Sequence, residues 1–457
     1  MIVSNAFRGK RYAVLGLARS GLATVRALVA SGADVTAWDS KEDARAAVMK
    51  APPLQGRGWG GACPPESELT APTPSPSPEG EGSLSIADPL TIDLTGFDGV
   101  VVSPGVPINR HPIADAAHAA HVPLLGDIEL FAQARAGLPA HRVVGITGTN
   151  GKSTTTALIH HILSSAGVPA MLGGNIGLPI LGQEPLAEGG VYVLELSSYQ
   201  IDLTHGLDCD VAILTNITPD HLDRYIDFAD YASAKERLFT MQHVDKVAVI
   251  ACDDNPSRMI ASRINHRLHR VHAADITDQS RWPSLQGPHN AQNVACAVAA
   301  CTALGLDAAQ IEAGLASYPG LSHRMERIRE LDGVLWVNDS KATNATSSAP
   351  ALAAYPVVHW ILGGQAKTDD LDACAPHYGH VKAAYVIGDA ADLFERLLSP
   401  HMPVTNAGTL EVAVAAARAA AAAGETVLLS PACASFDQFR DFEARGDAFR
   451  ALVEKLA

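Results

Sequence analysis

A strand, a loop and a helix near residue 150 constrain the fold of this chain more than any other stretch. The apolar run 143–146 predicts a buried strand, and 154–164 predicts a helix. Between them lie Gly148 and Gly151, which let backbone N–H groups approach phosphate oxygens. A helix N-terminus adds unpaired donors and partial positive charge. The segment therefore predicts a nucleotide-phosphate site within an α/β domain.

The side chains of this loop favour a triphosphate and a metal ion. Lys152 can reach terminal phosphates, and the Ser153 hydroxyl can bind Mg²⁺. A generic G-x-x-x-x-G-K-S loop needs glycine at position 146, where the chain has Ile146. The shorter T-G-T-N-G-K-S-T form argues against a generic P-loop NTPase. An ordinary surface turn is the alternative, and it is disfavoured by the position between a strand and a helix.

The length and the alternation of strands and helices predict three α/β domains. A chain of 457 residues allows about three domains of usual size. We predict a Rossmann-like N-terminal domain at 1–130, a central domain with a P-loop-type, mostly parallel sheet at 131–320, and a Rossmann-like C-terminal domain at 321–457. Strands are predicted at 12–18, 34–39, 99–103, 124–125, 143–147, 191–195, 211–215, 246–251, 334–338, 359–362, 384–387 and 426–430. The Pro- and Gly-rich stretch at about 51–89 is predicted to be an insertion, disordered or loosely attached.

The first βαβ unit suggests a dinucleotide site, with Asp39 as the acid that binds ribose. Its turn at 16–21 reads G-x-x-x-x-G, however, and the NAD fingerprint is G-x-G-x-x-G. An NAD-dependent dehydrogenase is therefore a rival interpretation only. The same turn can receive a uridine diphosphate at the start of its helix.

Charge, cysteine pattern and hydropathy limit the kinds of partner and the compartment that the sequence predicts. A net charge of −15 argues against an extended nucleic-acid surface. No apolar run reaches the ~18 residues that a membrane span requires. Seven cysteines without a C-x-x-C pair indicate reduced thiols. We expect a cytoplasmic monomer, with neither nucleic acid nor membrane as a partner.

Two strand ends carry candidate metal ligands. The apolar strand at 191–195 ends in Glu195, and a carboxylate beside a phosphate loop suits Mg²⁺, although it could instead cap the next turn. His221 follows another strand, among Asp220, Asp223 and Arg224. It is predicted to bind a second Mg²⁺ or the substrate, and the alternative is a plain loop histidine.

Together these stretches resemble the Mur ligase family, whose members add amino acids to the peptidoglycan precursor. The chain is most similar to the glutamate-adding members. The resemblance spans the chain outside 51–89 and rests on 148–154, 173–177, 195–200, 216–225, 231–235, 287–293, 323–326, 338–344 and 430–439. It implies ATP-dependent ligation of D-glutamate to UDP-N-acetylmuramoyl-L-alanine through an acyl phosphate. It also implies that ATP and Mg²⁺ are required.

The resemblance also implies roles for single residues. ATP would contact Gly148, Thr149, Asn150, Gly151, Lys152, Ser153 and Thr154, with Asn290 and Asn293 near adenine, Arg324 near phosphate and Asp339 near ribose. The metal ligands would be Ser153, Glu195, His221 and a carbamylated Lys235, and the catalytic residues would be Lys152, His221, Lys235 and Lys341. The UDP-substrate would contact Leu17, Ala18, Asp39, Ser40, Ser103, Gly105, Asn175 and His221, of which Ala18 offers only its backbone N–H. Glutamate would contact Thr343, Lys367, Ser435 and Phe442.

Two further rivals remain at this point. One is a nucleotide-gated binding protein without catalysis, which would not need to keep Glu195, His221 and Lys235. The other is a related ligase, of the folylpolyglutamate type or for another amino acid. The stretch around Ser435 and the absence of an Asp-Asn-Pro-Arg motif favour glutamate.

Overall fold

The computed structural model describes residues 1–49, 82–220 and 224–456. The chain forms two compact units, one from 1–272 and 296–311 and the other from 273–295 and 312–457. Two sheets lie in the first unit and a third lies in the second. The predicted mixed α/β fold with mostly parallel sheets is confirmed. The three domain limits stay a prediction.

The first sheet has five strands, all paired in parallel, in the order β3-β2-β1-β4-β5. Its strands are β1 Arg11–Leu15, β2 Asp34–Trp38, β3 Leu84–Ile86, β4 Gly99–Val102 and β5 Leu124–Leu125. The helices of this region are α1 Arg19–Ala30, α2 Glu42–Met49, α3 Ile113–Ala119 and α4 Asp127–Ala134. The β1–α1–β2 order places the turn at 16–21 at the carboxyl edge of the sheet, where ligands bind in such folds.

The predicted insertion at 51–89 extends too far toward its C-terminal end. Residues 51–81 lie outside the described part of the chain. Residues 84–86 form β3, which pairs with β2 so that Leu84 lies opposite Val35. Three residues beside a Pro- and Gly-rich stretch are too few to show an alternating pattern, and the strand was therefore missed.

The second sheet has six parallel strands in the order β11-β10-β9-β6-β8-β7. Its strands are β6 His141–Thr147, β7 Ala170–Gly174, β8 Gly190–Glu195, β9 Val211–Leu214, β10 Val247–Ala251 and β11 Arg267–Val271. The helices that follow in the chain are α5 Lys152–Ser165, α6 Ser198–Asp202, α7 Phe228–Thr240, α8 Asn255–Arg263, α9 Pro288–Ala303 and α10 Ala308–Ser317. Every residue of β8, β9 and β10 is buried, as expected of a parallel sheet covered on both faces.

The third sheet also has six strands, in the order β12-β13-β17-β14-β15-β16. Its strands are β12 Glu326–Leu331, β13 Val334–Asn338, β14 Val358–Gly363, β15 Val381–Ile387, β16 Val404–Gly408 and β17 Thr426–Leu429, with β12 antiparallel to β13 and the other pairs parallel. Its helices are α11 Ala345–Ala353, α12 Ala391–Leu398, α13 Leu410–Ala420 and α14 Phe442–Glu454. No helix within the described ranges combines the length and apolar character that a bilayer crossing needs.

Candidate active site

The loop between β6 and α5 has the backbone geometry of a phosphate cradle. Gly148 has φ of +146° and Gly151 has φ of +81°, values that L side chains rarely adopt. A Cβ at Gly148 would lie only 2.0 Å from the Thr215 hydroxyl oxygen. The helix begins at Lys152, two residues before the predicted start, so Lys152 and Ser153 occupy its first turn. The fold therefore presents a glycine N-cap and two polar side chains to an incoming anion.

The end of β9 holds this loop in place through hydrogen bonds. The Thr149 N–H donates to the Asn216 carbonyl at 2.8 Å, and the Asn150 N–H donates to Asn216 Oδ1 at 2.8 Å. Thr215 Oγ1 donates in turn to the Asn150 carbonyl at 2.7 Å. Because β9 lies beside β6 in the sheet, the loop is shaped before any ligand arrives.

Two lysines meet at one carbonyl of the loop. The Nζ atoms of Lys152 and Lys235 both donate to the Gly148 oxygen, each at 2.9 Å. Lys235, on α7, is only 2% exposed and lies against the ring of Tyr231. Burial, and then the charge of Lys152, hold the pKa of Lys235 well below its usual value. Burial therefore disfavours the charged form of this amine.

Glu195 ends β8 as a buried carboxylate with one oxygen unused. Oε1 accepts from Asn175 Nδ2 at 3.1 Å, whereas the buried Oε2 has no hydrogen-bond partner among the described residues. A buried carboxylate oxygen without a partner is costly unless a cation binds it. The alternative that Glu195 caps the next turn is wrong, because Ser197 forms the capping box of α6. The open oxygen fits a divalent cation.

The other predicted metal ligands form no complete cluster in the described chain. His221 lies outside the described residues. Ser153 is buried in the first turn of α5. Over residues 1–49, 82–220 and 224–456, no three His, Cys, Asp or Glu side chains come together as a metal site. Their joint role as metal ligands stays a prediction.

The residues predicted to contact the UDP-substrate converge at the carboxyl edge of the first sheet. The Leu17 N–H donates to Asp39 Oδ2 at 2.7 Å, and Ser103 Oγ donates to the Gly16 carbonyl at 2.7 Å. Ala18 is the N-cap of α1 and makes no side-chain hydrogen bond. Ser40 follows Asp39, and the space around Gly105 is open. Asn175 lies apart from this group, beside Glu195.

The predicted ribose and phosphate contacts of the second unit are neighbours. Arg324 lies between two residues with positive φ, His323 at 61° and Met325 at 46°, and such backbone strain is often found at functional sites. Asp339 follows β13, where its Oδ2 accepts from Ser430 Oγ at 2.8 Å and its Oδ1 accepts from the Met325 N–H at 3.1 Å. The charge of Arg324 lowers the pKa of Asp339, although burial outweighs that effect.

The two predicted adenine contacts lie one turn apart on α9. Asn293 Nδ2 donates to Asn290 Oδ1 at 3.1 Å, and Asn290 Nδ2 donates to the Gln286 carbonyl at 3.0 Å. Both side chains are buried and oriented by these bonds. Their contact with adenine stays a prediction.

The predicted glutamate contacts come from three loops and one helix of the second unit. Lys367 Nζ donates to Thr343 Oγ1 at 3.3 Å, which joins two of the loops. Lys341 Nζ lies 3.9 Å from the centre of the Phe442 ring, at the start of α14. Ser435 is buried in the third loop. The fold thus brings Lys341 to the predicted glutamate group.

Tyr231 lies in the stretch 231–235 that carries the family resemblance, but no role was predicted for it. Its hydroxyl lies 3.0 Å from Thr149 Oγ1, and its ring supports Lys235. A single aromatic residue on an amphipathic helix has the pattern of an ordinary core residue, so only its position beside the loop reveals this role.

Asp339 makes stability depend on pH in a defined direction. Burial raises its pKa from 3.8 to about 7. The folded state therefore binds more protons than the unfolded state between these values, and stability falls as pH rises through this window. We expect the free energy of unfolding of Asp339→Asn to vary less between pH ~4 and ~7 than that of the parent protein. The difference in this variation should reach up to a few kcal/mol, at ~1.4 kcal/mol per pKa unit.

The test is the midpoint of thermal unfolding of both proteins across that range. Asp372→Asn, an exposed carboxyl in the same unit, is the matched control and should follow the parent protein. Parallel curves for the parent and Asp339→Asn would show that Asp339 does not titrate in this window.

Comparison with known proteins identifies the family. The Mur ligase middle domain matches residues 146–286, and the Mur ligase glutamate ligase domain matches residues 323–433. A UDP-N-acetylmuramoylalanine–D-glutamate ligase from Sphingopyxis alaskensis is 62% identical, over 100% of both chains. A protein of the same name from Zymomonas mobilis is 53% identical, also over 100% of both.

Solved structures agree on the fold. UDP-N-acetylmuramate-alanine ligase from Thermotoga maritima aligns with a TM-score of 0.55 at 15% identity, over 97% of this chain and 99% of that chain. Escherichia coli FolC in complex with DHPP and ADP aligns with a TM-score of 0.54 at 21% identity, over 72% of this chain and 93% of that chain. Since two family domains match and close relatives align over the full length, the chain belongs to the Mur ligase family.

Proposed function

We propose that this chain is an ATP-dependent ligase that joins D-glutamate to UDP-N-acetylmuramoyl-L-alanine in peptidoglycan precursor synthesis. The observation that carries the proposal is the β6–α5 loop, where Lys152 and Lys235 share the Gly148 carbonyl, next to strand β8, which ends in Glu195 with an open oxygen. The names of the relatives at 62% and 53% identity supply the two substrates. A protein that only binds nucleotide would not need to keep Glu195, His221 and Lys235 together.

The chemistry follows from the weakness of a carboxylate as an acyl donor. The L-alanyl carboxylate oxygen attacks the γ-phosphorus of ATP, the bond to ADP breaks, and an acyl phosphate forms. The glutamate amine then attacks the acyl carbon, loses a proton and expels inorganic phosphate, so that an amide remains. The products are ADP, phosphate and the extended UDP-peptide.

Each residue group has one task in this scheme. The loop 148–154 would bind the phosphates of ATP. Asn290 and Asn293 would contact its adenine, Arg324 would contact phosphate, and Asp339 would contact the ribose. Leu17, Ala18, Asp39, Ser40, Ser103, Gly105, Asn175 and His221 would bind the UDP-substrate, and Thr343, Lys367, Ser435 and Phe442 the glutamate. Lys341 would support the transferred phosphoryl group. Lys367 offers the positive charge that a second carboxylate requires.

Mg²⁺ would be held by Ser153, Glu195, His221 and a carbamylated Lys235, and it would neutralise charge on the phosphates. The support in this chain is the unpartnered Oε2 of Glu195. Lys152 would contribute a fixed positive charge on the same phosphates. His221 could also act from the substrate side.

Carbamylation of Lys235 is supported by its surroundings. Carbamate forms when a neutral amine attacks CO₂ and releases one proton, and the lowered pKa of Lys235 favours the neutral amine. The product replaces one of two crowded cations with a carboxylate, which is a ligand that Mg²⁺ prefers. We expect protein equilibrated with ¹³C-bicarbonate to show a carbamate carbon resonance that is absent in Lys235→Ala. The same spectrum from both proteins would rule the modification out.

The proposed function is tested by phosphate release. Purified protein receives ATP, Mg²⁺ and UDP-N-acetylmuramoyl-L-alanine, and then D-glutamate, L-glutamate, meso-diaminopimelate or L-lysine in separate reactions. We expect phosphate release only in the reaction that receives D-glutamate. Release with another amino acid would support a different Mur ligase, and no ATP consumption in any reaction would end the proposal.

A further inference from the structure

Arg445 is a buried arginine that joins three loops of the second unit. It lies in the first turn of α14 and is 1% exposed. Its Nε donates to Ser340 Oγ at 3.0 Å, and its Nη2 donates to the carbonyls of Ser340 at 2.8 Å and Cys433 at 3.1 Å. Its Nη1 donates to the carbonyls of Ala434 at 3.3 Å and Gly363 at 3.5 Å. One guanidinium group thus contacts four carbonyls and one hydroxyl.

The hydrogen-bond partners of Arg445 are dipoles, and the Asp437 carboxylate contributes to its charge balance through a longer-range Coulombic interaction. Within the described chain, no carboxylate forms an ion pair with it. Burial lowers its pKa to about 10. A buried cation without a directly paired carboxylate is a costly way to fill space, and a well-packed apolar side chain often stabilises a fold more. The arrangement therefore indicates that Arg445 fixes the positions of the loops it contacts, which an apolar side chain could not do by packing alone.

The three loops are the ones that carry the proposed glutamate contacts. Thr343 follows Ser340, Lys367 follows Gly363, and Ser435 follows Ala434. Phe442 begins the helix that carries Arg445, and its carbonyl accepts from Ser340 Oγ at 2.8 Å. Gln365 also exchanges backbone hydrogen bonds with Ala434, which closes the second loop onto the third. Each loop is therefore anchored to Arg445 within a few residues of its proposed contact.

We propose that Arg445 is a positioning residue for the incoming glutamate. It sets the spacing of the three loops that carry the proposed glutamate contacts. This inference rests on the proposed function, because it concerns the same acceptor site. Arg445 itself touches no substrate in this scheme. It acts through the backbone of residues 340, 363, 433 and 434.

Lysine cannot replace this arrangement. A guanidinium group presents five N–H donors in a rigid plane, whereas an ammonium group presents three from a single point. Arg445→Lys keeps the charge but must release some of the carbonyls. A shift of ~1 Å in a positioned group can cost up to about a hundred-fold, so we expect the KM for D-glutamate to rise by about 30-fold.

The experiment measures three KM values for the parent protein, Arg445→Lys and two other variants. We expect the KM values for ATP and UDP-N-acetylmuramoyl-L-alanine to stay within about threefold in Arg445→Lys, because only uniform binding of glutamate is weakened. Acyl phosphate trapped by borohydride in the absence of glutamate should form as in the parent. Arg396→Lys, an exposed arginine on α12, is the matched control and should change none of these values.

Ser340→Ala keeps the test decisive if Arg445→Lys fails to fold. It removes the hydroxyl that accepts from Arg445 and donates to the Phe442 carbonyl, but it keeps the four carbonyls that accept from Arg445. We expect it to raise the KM for glutamate by about fivefold, with the other two constants unchanged. Equal rises in all three constants, or no rise for glutamate, would overturn the inference.

Failure of the inference and failure of the proposed function are distinct outcomes. If the parent protein uses no ATP with D-glutamate, the proposed function fails. If the parent is active and the glutamate KM of both variants equals that of the parent, only the role of Arg445 fails.

Discussion

Replacing Lys152 with alanine is expected to lower kcat by about a thousand-fold or more, as removal of a cation from a transferring phosphoryl group does in other enzymes. Lys152 Nζ donates hydrogen bonds to the Gly148 and Thr149 carbonyls of the glycine loop, at 2.9 and 2.8 Å. Its charge would act on phosphate in the ground state and more strongly as charge develops. Phosphate release with saturating substrates measures this effect.

The same substitution should leave the fold intact. Lys152 is half-buried at the start of α5, and alanine favours helix. Circular dichroism and thermal unfolding should therefore match the parent. Lys455→Ala, an exposed lysine after α14, should keep full activity. A Lys152→Ala protein that turns over at a near-normal rate would refute the assignment of the phosphate site.

Replacing Glu195 with glutamine is expected to lower activity by about a hundred-fold and to raise the Mg²⁺ concentration needed for half-maximal rate. The amide has the shape of the carboxylate and can still accept from Asn175 Nδ2 through its oxygen. It lacks the negative charge, and an NH₂ group takes the place of one carboxylate oxygen. Binding of the cation should fail while packing is kept. Initial rates over a Mg²⁺ titration measure both effects.

Glu188 provides the matched control for that variant. It is an exposed carboxylate shortly before β8, so Glu188→Gln makes the same chemical change away from the candidate cation site. We expect its Mg²⁺ curve to overlay that of the parent. If Glu195→Gln also overlays the parent, Glu195 binds no cation that matters for turnover.

With one exception, the strands predicted from the sequence lie in the interior of a sheet; the exception is the short edge strand β5. The interior strands of all three sheets were predicted, β8 and β14 among them, and both are buried throughout. The missed strands are β3, β7, β11, β12 and β16, and each lies at the edge of its sheet. An edge strand is half-exposed and need not be apolar, so its residues lack the continuous apolar run that marks an interior strand.

Much of the candidate site was also visible in the sequence. Gly148, Gly151 and Lys152 follow a buried strand directly, and Glu195 ends another, so their approximate place at the carboxyl edge follows from chain order. The roles of Tyr231 and Arg445 were not visible. Each is a single residue on a helix, and its partners at Thr149, Ser340 and Cys433 lie far away in the chain.

The sequence by itself determined the α/β class, the interior strands, the glycine-bearing loop before α5 and the family. These follow from local patterns, because backbone periodicity and glycine placement act over a few residues. Only the tertiary structure decided that Lys235 shares the Gly148 carbonyl with Lys152, that Glu195 keeps one oxygen open, and that Arg445 anchors three loops. Those facts depend on which strand ends and helices meet in space, and contacts between distant segments leave no local pattern in the chain.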